Sequence, residues 1–572
     1  MDRQDAERVA ERAAEALGPE AGLVASLDPV SLARAMAEVG TGLVRHPFGG
    51  ALAGLRYAAG LAATGAVSAA RVLGAQTSPP IPPAARDRRF ADTAWDSNPL
   101  FFGLQQGYLL TARLARELVA AAELEPRWRS KAELATQLLI DAMAPSNFLA
   151  TNPAALKRAF DTGGRSAAKG LNNLLDDLVS NGGKPRQVDT TPFKLGENLA
   201  ASKGKVVFRN SLMELLQYAP TTRTTYETPI LCSPPWINKY YVMDLAPGRS
   251  FIEWAVQHGR TVFAISYLNP SKDMGGTTMD DYLVHGPQTA LDVVQEITGA
   301  ETIDIVGLCL GGALTAITAA YLTQGNDSRV GTLTLLNTML DYTDPGVLGN
   351  FTDERTVEKL IKKIAKSGTL EGTSMAGTFD ILRANDLIFN YVVSNWLMGQ
   401  DPPSFDILAW NGDSTRMPAA MHAFYLRNFY VRNKLAAGTL EIAGRTIDLS
   451  AIKSPTYVVS AINDHIVPWE SAYKTTALVS GPVRFVLSSG GHIAGIVNPP
   501  SPKAWFLAHD EEIAAPGTAE VWRETAQRKA GTWWEDWTRW SSESAGDMVD
   551  PPQLGSARYP VLGDAPGRYV HT

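Results

Sequence analysis

The chain has 572 residues, of which 45% are hydrophobic and 19% are charged. This length allows two or three domains, and the composition is that of a globular protein, not a disordered or fibrous one. The modest net charge of -7 indicates neither a nucleic-acid tract nor a strongly basic membrane patch. Cys232 and Cys309 are the two cysteines, which excludes a disulfide framework and a four-cysteine zinc site and fits a reducing, cytosolic setting.

Residues 1–84 are interpreted as an N-terminal arm that is partly helical or flexible. The first residues, MDRQDAERVAERAAEAL, are acidic and have no apolar core, so we predict no secretory signal. The most lipid-like tract is YAAGLAATGAVSAA at 57–70, which falls short of the roughly 20 residues that span a bilayer. We therefore predict no transmembrane segment, and either a surface-packed helix or a flexible arm at this tract.

Residues 85–200 have helical periodicity and predict an all-helical N-terminal domain. The segment GLNNLLDDLVS spaces four leucines as one apolar stripe, at positions 171, 174, 175 and 178. The Gly- and Pro-rich segment SNGGKPRQVDTTP then closes the region.

Residues 201–572 alternate short apolar runs with helix-like stretches, which predicts an α/β fold with a mostly parallel sheet. The interval 345–450 is too long for a simple crossover, so we interpret it as an inserted cap that shields a site from water. The strand-like runs are GKVVFRN, TPILCSPPW, TVFAISYLN, TIDIVGL, VGTLTLLNT, PTYVVSAIN and VRFVLSSGG.

Cys309 stands between Gly307 and Gly311 in the segment DIVGLCLGGALTAITAAYL. An apolar strand enters this segment and a helix-compatible stretch leaves it, which is the strand, sharp turn and helix of a nucleophile elbow. The glycines permit a strained turn and close packing, and the helix N-terminus favours a thiolate. Cys309 is therefore a candidate nucleophile; the alternative is a small buried hydrophobe.

A nucleophile of this kind needs a base and an acid that orients the base. In α/β-hydrolases these residues follow in the order nucleophile, Asp, His, each just beyond a strand. Asp464 follows the strand PTYVVSAIN, and His492 lies in a Gly-flanked loop after VRFVLSSGG. The alternatives are a turn-forming Asp464, a structural His492, and a direct role for His465. No pair of histidines has metal-ligand spacing, so we assign no metal.

Oxyanion donors are expected from two backbone N–H groups, one after the nucleophile and one after an early strand. The first would belong to Leu310, and the second to Ile237 or Asn238 in SPPWINKYY; the alternative is that this loop is a structural turn. Cys232 precedes the loop and is interpreted as a core residue, the alternative being a functional thiol.

The C-terminal segment WRETAQRKAGTWWEDWTRW carries five tryptophans. Trp533, Trp537 and Trp540 share one helical face, which favours a helix docked on the core; the alternative is a surface that faces a polymer or a partner.

These motifs together resemble the polyhydroxyalkanoate synthases, in particular the single-subunit class. The likeness is collinear over most of the chain and weakest over about the first 90 residues. It includes RFADTAWDSNPLF, DAMAPSNFLATNP, GLCLGGA, LDYTDPGVLGNF, FDILAWNGDSTRMP, GGHIAGIVNPP and TWWEDW.

The resemblance implies that Cys309 carries the growing chain as a thioester and that His492 deprotonates the thiol. Asp464 would either activate a 3-hydroxyl group or orient His492, and Arg427 would contact CoA. The substrates would be (R)-3-hydroxyacyl-CoA thioesters, short-chain ones such as 3-hydroxybutyryl-CoA, with no cofactor. Members of this family work as homodimers on cytoplasmic polyester granules. The segment SYLNPSKD departs from the Trp-Arg pair usual in the short-chain class, so monomer length stays open.

Two rival functions remain at this point. A cysteine-dependent α/β-hydrolase, such as a thioesterase or lactone hydrolase, would use the same three residues on small substrates. A non-catalytic granule-associated protein would not need them.

Overall fold

The computed structural model describes residues 29–75, 77–85, 87–512 and 517–572. The chain divides into two compact units, a helical unit and an α/β unit. The helical unit ends at Asp189 and also contains residues 374–403, whereas the α/β unit comprises residues 190–373 and 404–572. The N-terminal segment for which we predict no secretory signal lies outside the described residues.

Helices of the helical unit begin where prolines and capping side chains favour a start. Asn98 Oδ1 accepts from the Leu100 N–H at 2.9 Å, and Asn152 Oδ1 accepts from the Ala155 N–H at 3.0 Å, each just before a proline. The predicted helices are confirmed, although the last one ends at Ser180. Among the described residues before 190, the α-helices are Pro29–Arg45, Pro47–Val72, Ala94–Ser97, Pro99–Ala121, Pro126–Ala142, Pro153–Asp161 and Arg165–Ser180.

Helix Arg165–Ser180 packs with a face other than the predicted leucine stripe. A Cβ on Gly170 would lie 1.9 Å from the Trp396 carbonyl oxygen, so only glycine at position 170 allows the backbone of residue 396 to pack this closely. Asp177 Oδ2 accepts from Trp396 Nε1 at 2.8 Å, while Leu171 of the predicted stripe is exposed. This packing groups residues 374–403 with the helical unit, whereas the sequence pattern assigned them to a cap of the catalytic domain.

The α/β unit is built on an eleven-stranded sheet. Its strands are β1 Gly204–Arg209, β2 Met213–Tyr218, β3 Ile230–Ser233, β4 Val262–Tyr267, β5 Ile303–Leu308, β6 Val330–Leu336, β7 Thr456–Ala461, β8 Val483–Ser488, β9 Trp505–Ala508, β10 Gln527–Ala530 and β11 Gly563–Asp564. Across the sheet they follow the order β10-β9-β8-β7-β6-β5-β3-β4-β2-β1-β11. The six central strands, from β8 to β4 in that order, are parallel, and the outer strands pair antiparallel.

All seven predicted strands are present, so the mostly parallel α/β prediction is confirmed. The sequence pattern missed β2, which is buried on both faces and therefore lacks alternation. It also missed the antiparallel strands β9, β10 and β11, which are only two to four residues long.

The helices of the α/β unit include Leu310–Gln324, whose small side chains are almost all buried beside the sheet. An interval between β6 and β7 contains helices, a short ribbon and a hairpin. The other helices after residue 190 are Phe251–Gln257, Met279–Leu283, Thr289–Thr298, Glu354–Ser367, Gly372–Leu382, Asp406–Gly412, Ala419–Tyr425, Trp469–Tyr473, Thr475–Leu478, Ala519–Thr525 and Trp533–Ser542.

The tryptophan-rich helix Trp533–Ser542 is docked on the core. Trp533, Trp534 and Trp537 are at most 1% exposed, and Phe251 stacks on Trp533 with ring centroids 5.5 Å apart. The docked-helix interpretation is therefore confirmed for these side chains, which are not available to a polymer surface. Among the described residues, no helix combines the length and the apolar character that crossing a membrane requires.

Candidate active site

Cys309 occupies the sharp turn between strand β5 and helix Leu310–Gln324. Its backbone has φ 53° and ψ -117°, a conformation that costs a non-glycine residue about 1–3 kcal/mol and persists only where the surroundings enforce it. The Cys309 N–H donates to the Leu336 carbonyl at 2.8 Å, and its own carbonyl accepts from the Ala313 N–H at 3.1 Å. These bonds hold the side chain at the end of the sheet, as a nucleophile elbow requires.

The glycines around Cys309 provide space rather than backbone freedom. Cys309 itself has the positive φ, whereas Gly307 and Gly311 do not. A Cβ on Gly311 would lie 2.2 Å from the Ser233 carbonyl oxygen, and one on Gly307 would lie 2.5 Å from the Gly312 Cα. The predicted close packing is thus confirmed, while the predicted strain lies in the cysteine and not in its glycines.

Asp464 lies just beyond strand β7, and both of its carboxylate oxygens are engaged. Oδ1 accepts from the Ile466 and Val467 N–H groups at 2.8 and 2.9 Å. Oδ2 pairs with His492 Nδ1 at 2.7 Å, and the Asp464 side chain is fully buried. Asp464 therefore forms the turn that the alternative interpretation proposed and also pairs with His492.

His492 lies in the loop after strand β8, between Asp464 and Cys309. Burial acts to lower its pKa, but the charges of Asp464 and Cys309, together with hydrogen bonds to both residues, raise that pKa to about 10. The structure thus brings the three predicted residues together in the order Cys, His, Asp. A histidine held between a carboxylate and a cysteine side chain is the arrangement of a cysteine nucleophile with its base and orienting acid.

The carbonyls of the His492 loop accept hydrogen bonds from side chains that the sequence pattern did not connect with the site. Asn337 Nδ2 donates to the His492 carbonyl. Trp533 Nε1 donates to the Gly495 carbonyl at 2.9 Å, and Trp534 Nε1 donates to the Ile496 carbonyl at 2.9 Å. No local sequence signal links these tryptophans to the loop, because the contacts span 38 residues.

The candidate oxyanion donors all belong to the α/β unit. Leu310 is the first residue of the helix that follows Cys309, so its N–H has no partner within the preceding turn. The Asn238 N–H donates to Thr415 Oγ1 at 2.9 Å and is therefore already engaged. Ile237 remains the candidate of the pair.

Aromatic side chains of the interval between β6 and β7 lie near the nucleophile. Tyr342 and Tyr430 have ring centroids 4.9 Å apart, and Tyr425 lies 6.2 Å from Trp236. Burial raises the pKa of Tyr425 and Tyr430, and the charge at Cys309 adds a smaller contribution. Tyr425 and Tyr430 belong to the predicted cap interval, so part of that interval lies near Cys309.

Arg427 is paired within the same interval. Its guanidinium makes a two-pronged contact with Glu358, at 2.6 and 2.8 Å, and both side chains are partly exposed. A CoA phosphate would have to compete with Glu358 or bind beside it.

Cys232 is 1% exposed, and burial raises its pKa above the ordinary range. A thiol in these surroundings stays protonated and unreactive, as a core residue should. Across the described parts of the chain, no cluster of three or more His, Cys, Asp or Glu side chains is placed to hold a metal ion.

Comparison with known proteins gives matches over most of the chain. Residues 86–255 match the family model "Poly-beta-hydroxybutyrate polymerase (PhaC) N-terminus", and residues 229–499 match the alpha/beta hydrolase fold. The chain is 39% identical to a poly(3-hydroxyalkanoate) polymerase of Methylorubrum extorquens, over 97% of this chain and 92% of that protein. The predicted α/β-hydrolase fold is therefore confirmed.

Two further relatives are similar over a slightly shorter span. The chain is 41% identical to the poly(3-hydroxyalkanoate) polymerase subunit PhaC of Cupriavidus necator, over 85% of this chain and 83% of that one. It is also 41% identical to poly(3-hydroxyalkanoate) polymerase 1 of Ectopseudomonas oleovorans, over 86% of this chain and 87% of that one.

Proposed function

The chain belongs to the poly(3-hydroxyalkanoate) polymerase family of acyltransferases, and from this premise we propose that it joins (R)-3-hydroxyacyl-CoA thioesters into a polyester. The observation that carries the mechanism is the buried pair of Asp464 and His492, 2.7 Å apart, beside the strained Cys309. We assign Cys309 as the nucleophile, His492 as the base and Asp464 as the acid that orients His492.

In the first step, the Cys309 sulfur, whose proton His492 holds, attacks the thioester carbonyl. The oxyanion that forms accepts hydrogen bonds from the Leu310 and Ile237 N–H groups. The carbon–sulfur bond to CoA then breaks, and His492 returns its proton to the departing CoA thiolate. The acyl group is left on Cys309 as a thioester.

In the second step, the 3-hydroxyl oxygen of another hydroxyacyl-CoA attacks the Cys309 thioester, and His492 accepts the hydroxyl proton. An ester bond forms, the bond to sulfur breaks, and the Cys309 thiolate is regenerated. The chain is now one unit longer and ends in a CoA thioester, which reloads Cys309 and releases CoA.

Asp464 acts in this scheme by orienting His492, not by taking the hydroxyl proton. Its Oδ1 already accepts two backbone N–H groups and its Oδ2 pairs with His492. A fully buried carboxylate with both oxygens engaged is poorly placed to reach a substrate hydroxyl, whereas it stabilises the imidazolium that each step creates.

Cysteine suits this reaction because exchanging one thioester for another is nearly neutral in free energy, so the chain is held without being trapped. A serine ester would be a poorer acyl donor. Transfer to a hydroxyl group in preference to water requires a shielded site. The aromatic residues near Cys309, including Tyr425 and Tyr430, supply such a shield.

The finer assignments extend this proposal. The monomer is short-chain, such as 3-hydroxybutyryl-CoA, and no cofactor takes part. The enzyme acts as a homodimer at the surface of cytoplasmic polyester granules, and Arg427 contacts CoA at the edge of the site. These assignments rest on the motifs shared with the family.

Incubation of the purified chain with 3-hydroxybutyryl-CoA tests the proposal. We expect release of CoA together with an insoluble polyester. CoA with only free 3-hydroxybutyrate would instead indicate a thioesterase, and no CoA release would indicate a non-catalytic protein. A series of longer acyl-CoA substrates then defines the preferred monomer length.

The two cysteines provide a matched pair of variants. Cys309→Ala should abolish CoA release and leave the fold intact, whereas Cys232→Ala should retain activity because that thiol is buried and unreactive. Full activity in Cys309→Ala would refute the nucleophile assignment.

A further inference from the structure

A short segment of the interval between β6 and β7, residues 410–416, runs along the loop that carries the candidate oxyanion donor. We call this segment the strap; the loop comprises residues 236–241. Both belong to the α/β unit. The polar contacts between them are Trp410 Nε1 to the Lys239 carbonyl at 2.8 Å, Lys239 Nζ to Asp413 at 2.9 Å, Tyr241 Oη to Asp413 at 2.9 Å, and two contacts of Thr415.

Thr415 contacts the loop on both sides of Ile237. Its hydroxyl donates to the Trp236 carbonyl at 3.1 Å and accepts from the Asn238 N–H at 2.9 Å. The Thr415 side chain is buried, so water does not readily replace either bond. One hydroxyl group therefore fixes the two peptide units that meet at Ile237.

The first of these bonds determines where the Ile237 N–H points. The Trp236 carbonyl and the Ile237 N–H belong to the same planar trans peptide unit, and they project from opposite edges of it. Fixing the carbonyl on Thr415 therefore fixes the direction of the N–H. A hydrogen bond to the carbonyl also polarises the amide and strengthens its N–H as a donor.

The second bond stabilises an unusual backbone conformation. Asn238 has φ 62°, in the left-handed region that is uncommon for residues other than glycine. Its N–H bond to Thr415 holds the chain in that conformation immediately after Ile237. Without Thr415, the loop would gain freedom on both sides of the candidate donor.

We propose that Thr415 is a positioning residue that aims the Ile237 N–H at the oxyanion formed on the Cys309 thioester. The inference rests on the proposed acyl transfer at Cys309 and adds a residue to it. It also makes the strap part of the catalytic apparatus, since displacement of the strap would displace the donor.

Thr415→Val tests this proposal because it keeps the shape of the side chain and removes both bonds. Loss of an oxyanion donor costs about 10²- to 10³-fold in kcat. Loss of the donor's alignment should reduce kcat less than loss of the donor itself. We therefore expect kcat for CoA release to fall about 10- to 100-fold. Thr415→Ser, which retains the hydroxyl, should recover most of the activity.

Alkylation of Cys309 by iodoacetamide separates donor positioning from general damage. This displacement needs the thiolate but creates no oxyanion, so Thr415→Val should be alkylated at the wild-type rate while its acyl transfer is slow. Thr476→Val is the matched control: Thr476 is equally buried and its hydroxyl donates to the Tyr473 carbonyl at 2.8 Å, outside the loop. The control should retain wild-type kcat.

Three outcomes would overturn the proposal: wild-type kcat in Thr415→Val, parallel loss of alkylation and acyl transfer, or equal loss in Thr415→Ser. If Thr415→Val does not fold by thermal melting, Thr415→Ala takes its place, with the same expectations. A wild-type chain that releases no CoA from 3-hydroxybutyryl-CoA would instead refute the proposed function, so the two failures are distinguishable.

Discussion

The nucleophile elbow and the His492 loop place their reactive side chains by different means. At the elbow, neighbouring backbone lies so close to the glycines that no side chain fits. A Cβ added to Gly311, for example, would lie 2.2 Å from the Ser233 carbonyl oxygen. At the loop, the backbone makes no regular structure and its carbonyls accept from Asn337, Trp533 and Trp534. Close backbone packing therefore determines the conformation of the elbow, whereas hydrogen bonds from distant parts of the chain determine the conformation of the loop.

This difference predicts how each region fails. A larger side chain at an elbow glycine would clash with backbone that has no room to move, so both the fold and the site should be lost. A change at the loop removes one bond among several, so the loop should loosen while the fold persists.

Gly311→Ala should have the largest effect, because the new Cβ would meet the Ser233 and Pro234 backbone at 2.2 to 2.5 Å. We expect a loss of about 3 kcal/mol in the free energy of unfolding and no measurable CoA release. Gly107→Ala is the control, since its Cβ would meet nothing within 4 Å; within a helix that change should leave stability unchanged or raise it. Urea denaturation measures both, and a stable, active Gly311→Ala would contradict the excluded-volume account.

Asp464→Asn should have the next largest effect, because it retains the shape of the side chain but removes the charge that orients His492. By analogy with the acid of a serine triad, kcat should fall about 10³- to 10⁴-fold. Since Asp464 only orients His492, acylation of Cys309 and extension of the chain should slow equally. Single-turnover CoA release measures the first step and polymer length the second; a selective loss of extension would show that Asp464 acts on the substrate hydroxyl.

Trp533→Phe should have a smaller effect, because it keeps an aromatic ring while removing the indole N–H and part of the ring volume. We expect a loss of about 2 kcal/mol in stability and a fall of about 3- to 10-fold in kcat. Since the loop positions His492, alkylation of Cys309 by iodoacetamide should slow as well.

Trp537→Phe is the control for this comparison. Trp537 lies in the same helix and is as deeply buried, but its indole donates to Thr334 Oγ1 on strand β6 at 2.9 Å. It should lose similar stability and keep wild-type kcat. Equal kcat losses in the two variants would show that the helix supports the sheet and not the loop in particular.

The same contrast explains what the sequence could predict. The elbow is encoded in five neighbouring residues around Cys309, and Asp464 and His492 follow recognisable strand ends, so pattern and order were enough to select them. Trp533 and Thr415 lie in two of the segments that carry the family resemblance, TWWEDW and FDILAWNGDSTRMP, but neither segment indicates the remote loop that its side chain contacts. Gly170 shows the same limit in the fold, because a glycine within a helical pattern does not reveal that residues 374–403 pack against it.

The pH dependence of stability reports on the charge at the loop. Although burial acts to lower the pKa of His492, the neighbouring charges of Asp464 and Cys309 raise it from 6.5 to about 10. A pKa that is higher in the folded state stabilises the fold fully below the unfolded value and loses that contribution as pH rises through the folded value. The stabilisation from protonated His492 should therefore be complete below about pH 6.5 and decline towards pH 10.

Urea denaturation of the wild type and of His492→Gln at pH 6.5, 8 and 9.5 measures this contribution. The gap in unfolding free energy should narrow steadily across that range, because glutamine does not titrate. His422 provides the control: it is buried, and burial lowers its pKa to about 4, so the gap for His422→Gln should not change between pH 6.5 and 9.5. A His492 gap that is constant or widens with pH would mean that the imidazole is neutral in the resting site, and the loop would then be held by its backbone bonds alone.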